Sequence, residues 1–281
     1  MASQGEPIAS RAHAAHRPQA GAAAPLDRLR AALGRWVSPA RLLGSPPLWR
    51  EGRWALELAA LRRARDTMRE GEGVPPGRGR PVLLIPGYLA GDVSLRPLAR
   101  WLRRADYRPF AAGIRFNADC AGRTMAPLEA RLEAQVAAWG EPALIIGQSR
   151  GGGLGRVLAR RRPELVSGLI TLGTPHLDPF GVHPLVLLNV GVVGALGALG
   201  LPGLFSSDCW RDGPCCGGIW GDLGEPLTVP FLSIYSPSDG IVDYRACLDP
   251  AARHAAVDSS HLGMAVNPAV YRLIAEELRA R

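Results

Sequence analysis

Short runs of consecutive apolar residues alternate along the chain with longer stretches in which apolar residues recur at helical spacing. Continuous apolar runs are typical of strands buried on both faces, and helices between successive strands indicate parallel pairing. The pattern therefore predicts an α/β fold with a mostly parallel central sheet and helices on both faces. The predicted strands cover residues 82–85, 110–114, 143–146, 169–172, 229–235 and 254–257, and the predicted helices residues 94–104, 125–139, 150–162 and 265–280.

Three regions are predicted from the composition. Residues 1–50 are rich in Ala, Pro, Gly and Arg and read as a flexible tail, with no continuous apolar segment that would indicate a secretory signal. Residues 51–79 are predicted to form a helix over residues 51–70, with Trp54, Leu58 and Leu61 on one face, followed by a linker broken by Pro and Gly. The domain that holds the predicted sheet covers residues 80–281. We expect a cytoplasmic protein.

Residues 177–228 interrupt the alternation of strands and helices. Residues 184–205 carry no charge and have Gly at every third position from Gly191 to Gly200. About 20 apolar residues can cross a bilayer, but a membrane span here would separate two strands of one sheet. We therefore predict a lid or cap over the site, able to rest on a membrane surface and suited to an apolar substrate.

A candidate nucleophile lies in the sequence Gly-Gln-Ser-Arg-Gly, residues 147–151, which matches G-x-S-x-G. The motif follows a predicted buried strand and opens a predicted helix, the setting of a nucleophile elbow. Such a turn exposes the hydroxyl of Ser149 above the strand ends, while the helix N-terminus supplies N–H groups for an oxyanion.

An acid and a base follow the serine in the order this arrangement requires. Asp239 comes directly after the strand predicted at residues 229–235, with Asp243 as the rival acid, more consistent with a capping carboxylate. His261 lies in a polar loop before the last helix and is the favoured base, whereas His254 lies nearer a strand. His176 precedes both acids and is predicted to hydrogen-bond within its own loop.

The expected oxyanion hole combines the backbone N–H groups of Tyr88, after the first strand, and Arg150, after the nucleophile. Only the backbone is needed at both positions. The side chain of Arg150 is predicted either to bind an anionic group or to form a surface ion pair.

The net charge and the spacing of the cysteines limit which ligands and partners are predicted. The formal net charge is +8 and all 33 basic residues are arginine, but they are scattered and no nucleic-acid motif accompanies them, so no nucleic-acid partner is predicted. The five cysteines include no C-x₂-C pair, so neither metal nor cofactor is expected. Either a local disulfide joins Cys209 or Cys247 to the Cys215–Cys216 pair, or the thiols are free.

Five sequence motifs, LLIPGY, GQSRGG, TLGTPH, YSPSDGIVD and SSHLGM, resemble the lipase and esterase branch of the α/β-hydrolase superfamily. The resemblance covers about residues 80–281. It implies a serine hydrolase that cleaves carboxylic esters, of small molecules or lipids, through an acyl-serine intermediate and without a cofactor. It also implies roles for five residues: Ser149 as nucleophile, Asp239 as acid, His261 as base, and Tyr88 and Arg150 as oxyanion donors.

Two alternatives stay open at this point. An acyltransferase would use the same three residues with an alcohol in place of water, and a non-catalytic binding protein could share the fold. The motif also departs from the family at Pro86-Gly87, where many lipases have His-Gly. That change keeps the backbone donor but removes any hydrogen bond that the histidine would make.

Overall fold

Six strands form one fully parallel sheet in the order β2-β1-β3-β4-β5-β6. The computed structural model describes residues 45, 47–64, 74–211, 215–216 and 218–281, so the predicted tail falls almost wholly outside the described residues. The predicted fold class, a mostly parallel sheet between helices, is confirmed. The strands are β1 Pro81–Ile85, β2 Arg108–Ala111, β3 Ala143–Gln148, β4 Val166–Leu172, β5 Phe231–Tyr235 and β6 Arg253–Ala256.

Helices cover both faces of this sheet because successive strand residues point to opposite sides. Val82 and Leu84 of β1 belong to one apolar cluster, and Leu83 and Ile85 of the same strand belong to the other. The first cluster includes residues of α2 and α7, and the second includes residues of α3 and α4. The helices are α1 Trp54–Arg63, α2 Arg96–Arg104, α3 Ala121–Trp139, α4 Arg150–Arg161, α5 Pro184–Ala198, α6 Ile219–Gly224 and α7 Pro268–Arg279.

Two predicted elements differ from the structure. Strand β2 ends at Ala111, short of the predicted residue 114, because Gly113 has a φ of +83° that does not continue a strand. Helix α1 buries only part of the predicted apolar face: Leu58 and Leu61 are half-buried, and Leu61 packs against the first apolar cluster. Trp54 is 45% exposed, and the side chain of α1 that is buried is that of Glu57. A short 3₁₀ turn, Leu48–Arg53, precedes α1, and residues 65–70 of the predicted helix lie outside the described residues.

The segment between β4 and β5 carries α5 and α6 and contains the uncharged stretch. Helix α5 begins after His183, whose ring nitrogen accepts a hydrogen bond from the N–H of Leu185. Among the described helices, none combines the length and the apolar character needed to cross a bilayer. This segment lies near the carboxyl ends of the strands, where the candidate site is found.

Candidate active site

Ser149 occupies a sharp turn between β3 and α4. Strand β3 ends at Gln148 and the helix begins at Arg150, which leaves Ser149 alone between them with φ 51° and ψ −125°. A positive φ is costly for a residue with a side chain and persists only where the surroundings enforce it. Here the N–H of Ser149 donates to the carbonyl of Leu172 in β4 at 2.8 Å. This is the backbone geometry that the G-x-S-x-G motif predicts.

The two glycines of the motif are required by close backbone contacts. A Cβ at Gly147 would lie 2.6 Å from the carbonyl oxygen of Gly151, and a Cβ at Gly151 would overlap the carbonyl oxygens of Ile85 and Pro86. Real Cβ atoms do not approach backbone atoms so closely, so a larger residue at either position would distort the turn. The glycines therefore allow β1, the turn and α4 to pack together.

Asp239 and His261 form a buried hydrogen-bonded pair. The Nδ1 atom of His261 lies 2.7 Å from Oδ2 of Asp239, and the two residues are 5% and 2% exposed. The other carboxylate oxygen accepts the N–H groups of Ile241 and Val242, both at 2.8 Å. Because an ionised carboxylate only accepts, Nδ1 carries the proton, and Nε2 of the neutral ring is left as an acceptor.

The described hydrogen bonds of His261 join it to Asp239, to Glu51 and, through its carbonyl, to the Gln148 amide at 3.1 Å. None goes to Ser149, although Ser149 and His261 line the same cavity. Without substrate, the contact between a nucleophile and its base is often longer than a hydrogen bond. The structure thus brings Ser149, Asp239 and His261 to one place and joins two of them directly.

The rival candidates make other contacts. Asp243 accepts the N–H of Arg245 at 3.0 Å and caps the 3₁₀ turn Tyr244–Cys247, so it acts as a turn residue. His254 places its Nε2 atom 2.8 Å from the carbonyl of Asp249. His176 is buried and its Nε2 atom lies 3.0 Å from the hydroxyl of Thr171.

The negative charge of Asp239 favours a proton on His261. Burial alone opposes the imidazolium, but the charge and hydrogen bond of Asp239, together with the charge of Glu51, hold the pKa of His261 above its ordinary value. His176 shows the opposite effect, since burial lowers its pKa to about 3. Of these two buried histidines, only His261 is held where it can take up a proton.

The two expected oxyanion donors have no other partner. Within the part of the chain that the structure describes, the backbone N–H groups of Tyr88 and Arg150 donate to no acceptor. The next N–H along the chain behaves differently, since that of Leu89 donates to the carbonyl of Asn117 at 3.2 Å. Both free donors border the cavity that Ser149 lines.

The side chain of Arg150 has a structural role rather than either predicted one. Its guanidinium donates to the carbonyl and the side-chain oxygen of Asn117, at 3.0 and 2.6 Å, and to the carbonyl of Asp119. It also lies over the ring of Phe205, 5.8 Å from the centroid. Arg150 therefore fastens the start of α4 to the loop that follows β2.

A cavity of about 600 Å³ opens between the strand ends and the segment that carries α5. Its walls are mainly apolar, and Ser149 and His261 are among the polar residues that line it. Tyr88 donates its hydroxyl to the side chain of Asn189 in α5 at 3.0 Å, which links the loop after β1 to this wall. The apolar lining from the β4–β5 segment includes Leu185, Val186, Val190, Phe205, Ile219 and Leu223.

A second set of contacts was not predicted from the sequence. The N-terminal arm, residues 48–63, supports the loops of Asp239 and His261 through Glu51. One carboxylate oxygen of Glu51 accepts the N–H groups of Gly240 and His261, at 2.8 and 3.0 Å, and the other accepts the N–H of Leu262 at 2.9 Å. Glu51 is thus hydrogen-bonded to the backbone beside both members of the pair.

Glu57 extends this support from α1. It accepts the N–H of Ser260 at 2.9 Å, the hydroxyl of Ser260, and the side-chain amide of Asn267 at 3.1 Å. A side chain at Gly263 would overlap the Glu57 carboxylate, so the loop can close against the arm only with glycine at that position. In the sequence, neither glutamate differs visibly from a solvated helix residue.

Replacement of Glu51 by alanine is expected to lower the free energy of unfolding by about 3 kcal/mol, because three backbone N–H groups would lose a buried charged acceptor. Urea unfolding followed by circular dichroism would measure the change. The control is Glu225→Ala, since Glu225 is exposed. Equal stability of the two variants would contradict the role given to Glu51.

Comparisons with known proteins agree with this architecture. No family model and no curated protein sequence matches the chain. Among solved structures, it is similar to a lipase of Bacillus licheniformis in mature form, with TM-score 0.54 and 14% identity over 73% of this chain and 94% of that one.

Two further structures are similar to the chain. A monoacylglycerol lipase of Paleococcus ferrophilus has TM-score 0.51 and 14% identity, over 74% of this chain and 96% of that one. A soluble variant of the monoglyceride lipase of Saccharomyces cerevisiae, in complex with a substrate analogue, has TM-score 0.50 and 17% identity, over 74% and 87%. At these identities the likeness concerns the fold, and the chain has the α/β-hydrolase fold.

Proposed function

We propose that this protein is a serine hydrolase that cleaves carboxylic esters through an acyl-serine intermediate. The observation that carries the proposal is the shared cavity of a serine on a strained strand-to-helix turn and a buried histidine–aspartate pair. Each group supplies a part that acyl transfer needs: a nucleophile, a base, and an acid that orients the base.

In the proposed mechanism, Nε2 of His261 takes the hydroxyl proton of Ser149 as the oxygen attacks the ester carbonyl. Asp239 holds the Nδ1 proton and stabilises the imidazolium that forms. The carbonyl oxygen becomes negative and receives the free N–H groups of Tyr88 and Arg150, worth about 3 kcal/mol for each donor. His261 then protonates the leaving alcohol, and a water molecule activated by the same ring cleaves the acyl-serine.

The cavity lining supports an apolar acyl group as the substrate part that is bound. Apolar side chains of α5 and α6 face the space above Ser149, so a hydrocarbon chain placed there would lose contact with water. Helix α5 and the residues after it also expose Leu185, Val192, Leu199 and Leu201. This apolar surface beside the cavity supports the proposal that the β4–β5 segment is a lid which contacts lipid.

The chemical test is a fluorophosphonate probe, which forms a covalent bond with an activated serine. We expect one label per chain, located by peptide mass spectrometry on Ser149, together with hydrolysis of p-nitrophenyl esters that the label abolishes. Labelling should be absent after heat unfolding, because the reactivity depends on the folded site. A native protein that neither takes the label nor hydrolyses any ester would refute the proposal.

The pH dependence follows from the raised pKa of His261. Only the neutral ring can act as the base, so kcat/KM for an uncharged ester should rise with pH and reach half its maximum above about pH 6.5, the ordinary histidine value. A pH series with a p-nitrophenyl ester, buffered at constant ionic strength, would measure the midpoint. A midpoint well below 6 would show that another group is the base.

A further inference from the structure

Four cysteines from three parts of the chain meet beside the cavity. Cys120 immediately precedes α3, Cys209 lies in the 3₁₀ turn Ser207–Arg211, and the adjacent Cys215 and Cys216 come shortly before α6. Their sulfur atoms all lie within 4.8 Å of one another. The proposed ester chemistry uses none of them.

The distances match the ligand set of a tetrahedral metal ion. With a Zn–S bond of about 2.3 Å, neighbouring sulfurs of a tetrahedral site are about 3.8 Å apart. The sulfurs of Cys215 and Cys216 are separated by 3.8 Å, those of Cys120 and Cys216 by 4.0 Å, and those of Cys209 and Cys215 by 3.4 Å. A disulfide bond would require about 2.05 Å.

Positive groups lie on one side of the sulfur cluster, next to Cys120 and Cys209. Cys120 is the N-cap residue of α3, a helix of 19 residues, whose positive end stabilises a thiolate. The guanidinium groups of Arg123 and Arg150 lie close enough to Cys120 and Cys209 to interact with their charges. Arg123 also pairs with Asp119, so the two arginines would offset only part of the net charge of −2 that four thiolates and one Zn²⁺ carry together.

Three of the four cysteines are shielded from water, whereas Cys215 is exposed. Cys120, Cys209 and Cys216 are buried and belong to one apolar cluster with Val193 and Phe205. A side chain at Gly122 would overlap the carbonyl of Cys215, so the backbone of the cysteine pair packs directly on the start of α3. The ligands are thus held from both sides before any ion binds.

We propose that Cys120, Cys209, Cys215 and Cys216 bind one Zn²⁺ ion as a structural tetrathiolate site. On binding, four Zn–S bonds form, the four thiols release their protons to solvent, and no atom is oxidised or reduced. The ion joins the base of the β4–β5 segment to the loop that Arg150 fastens to α4. It thereby fixes one wall of the cavity.

This site differs from what the sequence predicts. Cys120 stands far along the chain from the other three, and no C-x₂-C pair marks the ligands. Only the packing of α3 against the β4–β5 segment brings the four sulfurs together. The inference is independent of the ester chemistry, and its readout is metal content rather than activity.

The test measures zinc in the full chain purified under reducing conditions. We expect about one zinc ion per chain by mass spectrometry, with four sulfur neighbours at about 2.3 Å by X-ray absorption. Cobalt substituted for zinc should give the charge-transfer and visible bands of a tetrahedral tetrathiolate. These measurements use the wild-type protein, so they hold even if a cysteine variant does not fold.

Variants then assign the ligands. Cys209→Ser and Cys216→Ser should lose the bound zinc, while Cys247→Ser, a matched buried cysteine outside the cluster, should retain it. Ser149→Ala should also retain zinc, so a failed ester assay would leave this result unaffected. Metal-free wild type, a zinc shell with nitrogen or oxygen ligands, or an intact mass showing two disulfides would each overturn the proposal.

Discussion

Replacement of Ser149 by alanine is expected to lower kcat for ester hydrolysis by roughly 10⁶-fold, the loss seen when an enzyme of this type is deprived of its nucleophile. Without the hydroxyl no acyl-serine can form, and the remaining groups can only assist direct attack by water. Stopped assays with a p-nitrophenyl ester at high enzyme concentration would measure the residual rate.

The control for this prediction is Ser167→Ala, because Ser167 is an exposed serine of β4. It should keep the full rate, and both variants should melt close to the wild-type temperature, since alanine at 149 removes a hydroxyl that holds no other described element in place. A Ser149→Ala protein that hydrolyses esters within tenfold of wild type would exclude Ser149 as the nucleophile.

Replacement of Asp239 by asparagine is expected to lower kcat by roughly 10⁴-fold with little change in the fold. The amide can present an N–H to His261, which favours the ring tautomer with the proton on Nε2 and blocks that atom as a base. Steady-state kinetics would show the loss in kcat, and labelling by the fluorophosphonate should slow in parallel.

Asp243→Asn is the matched control, four residues away in the same loop. Asp243 only caps the turn Tyr244–Cys247 and pairs with Arg245, so its replacement should leave kcat within about twofold of wild type. If Asp243→Asn were the inactive variant and Asp239→Asn the active one, Asp239 would be excluded as the acid that orients His261, and Asp243 would take that role.

The sheet could be predicted from the sequence because its strands are continuous apolar runs, which few other structures produce. The predicted positions of β1, β3, β4 and β5 agree with the structure apart from their ends, whereas the edge strand β2 begins and ends earlier in the chain than predicted. The candidate site could also be located, since the carboxyl ends of parallel strands meet at one edge of a sheet. Ser149 and Asp239 each follow such a strand end.

The position of the arm could not be predicted because its buried contacts with the loops of Asp239 and His261 are polar. A helix is normally oriented from its apolar residues, and that rule placed Trp54 inward, where the structure has Glu57. The partners of Glu51 and Glu57 are mainly backbone N–H groups about 200 residues further along the chain. Almost every residue carries a backbone N–H, so the residue types do not show which of these groups would pair with the two carboxylates.

The arm has a consequence for how the chain can be divided. Glu51 and Glu57 reach the loops of Asp239 and His261 from a segment that precedes the whole sheet. If the chain were cut between α1 and β1, the two fragments would carry complementary surfaces, buried carboxylates on one and unpaired N–H groups on the other. The short fragment would then complement the larger fragment in trans, and recovered ester cleavage would report that the two fragments had reassembled.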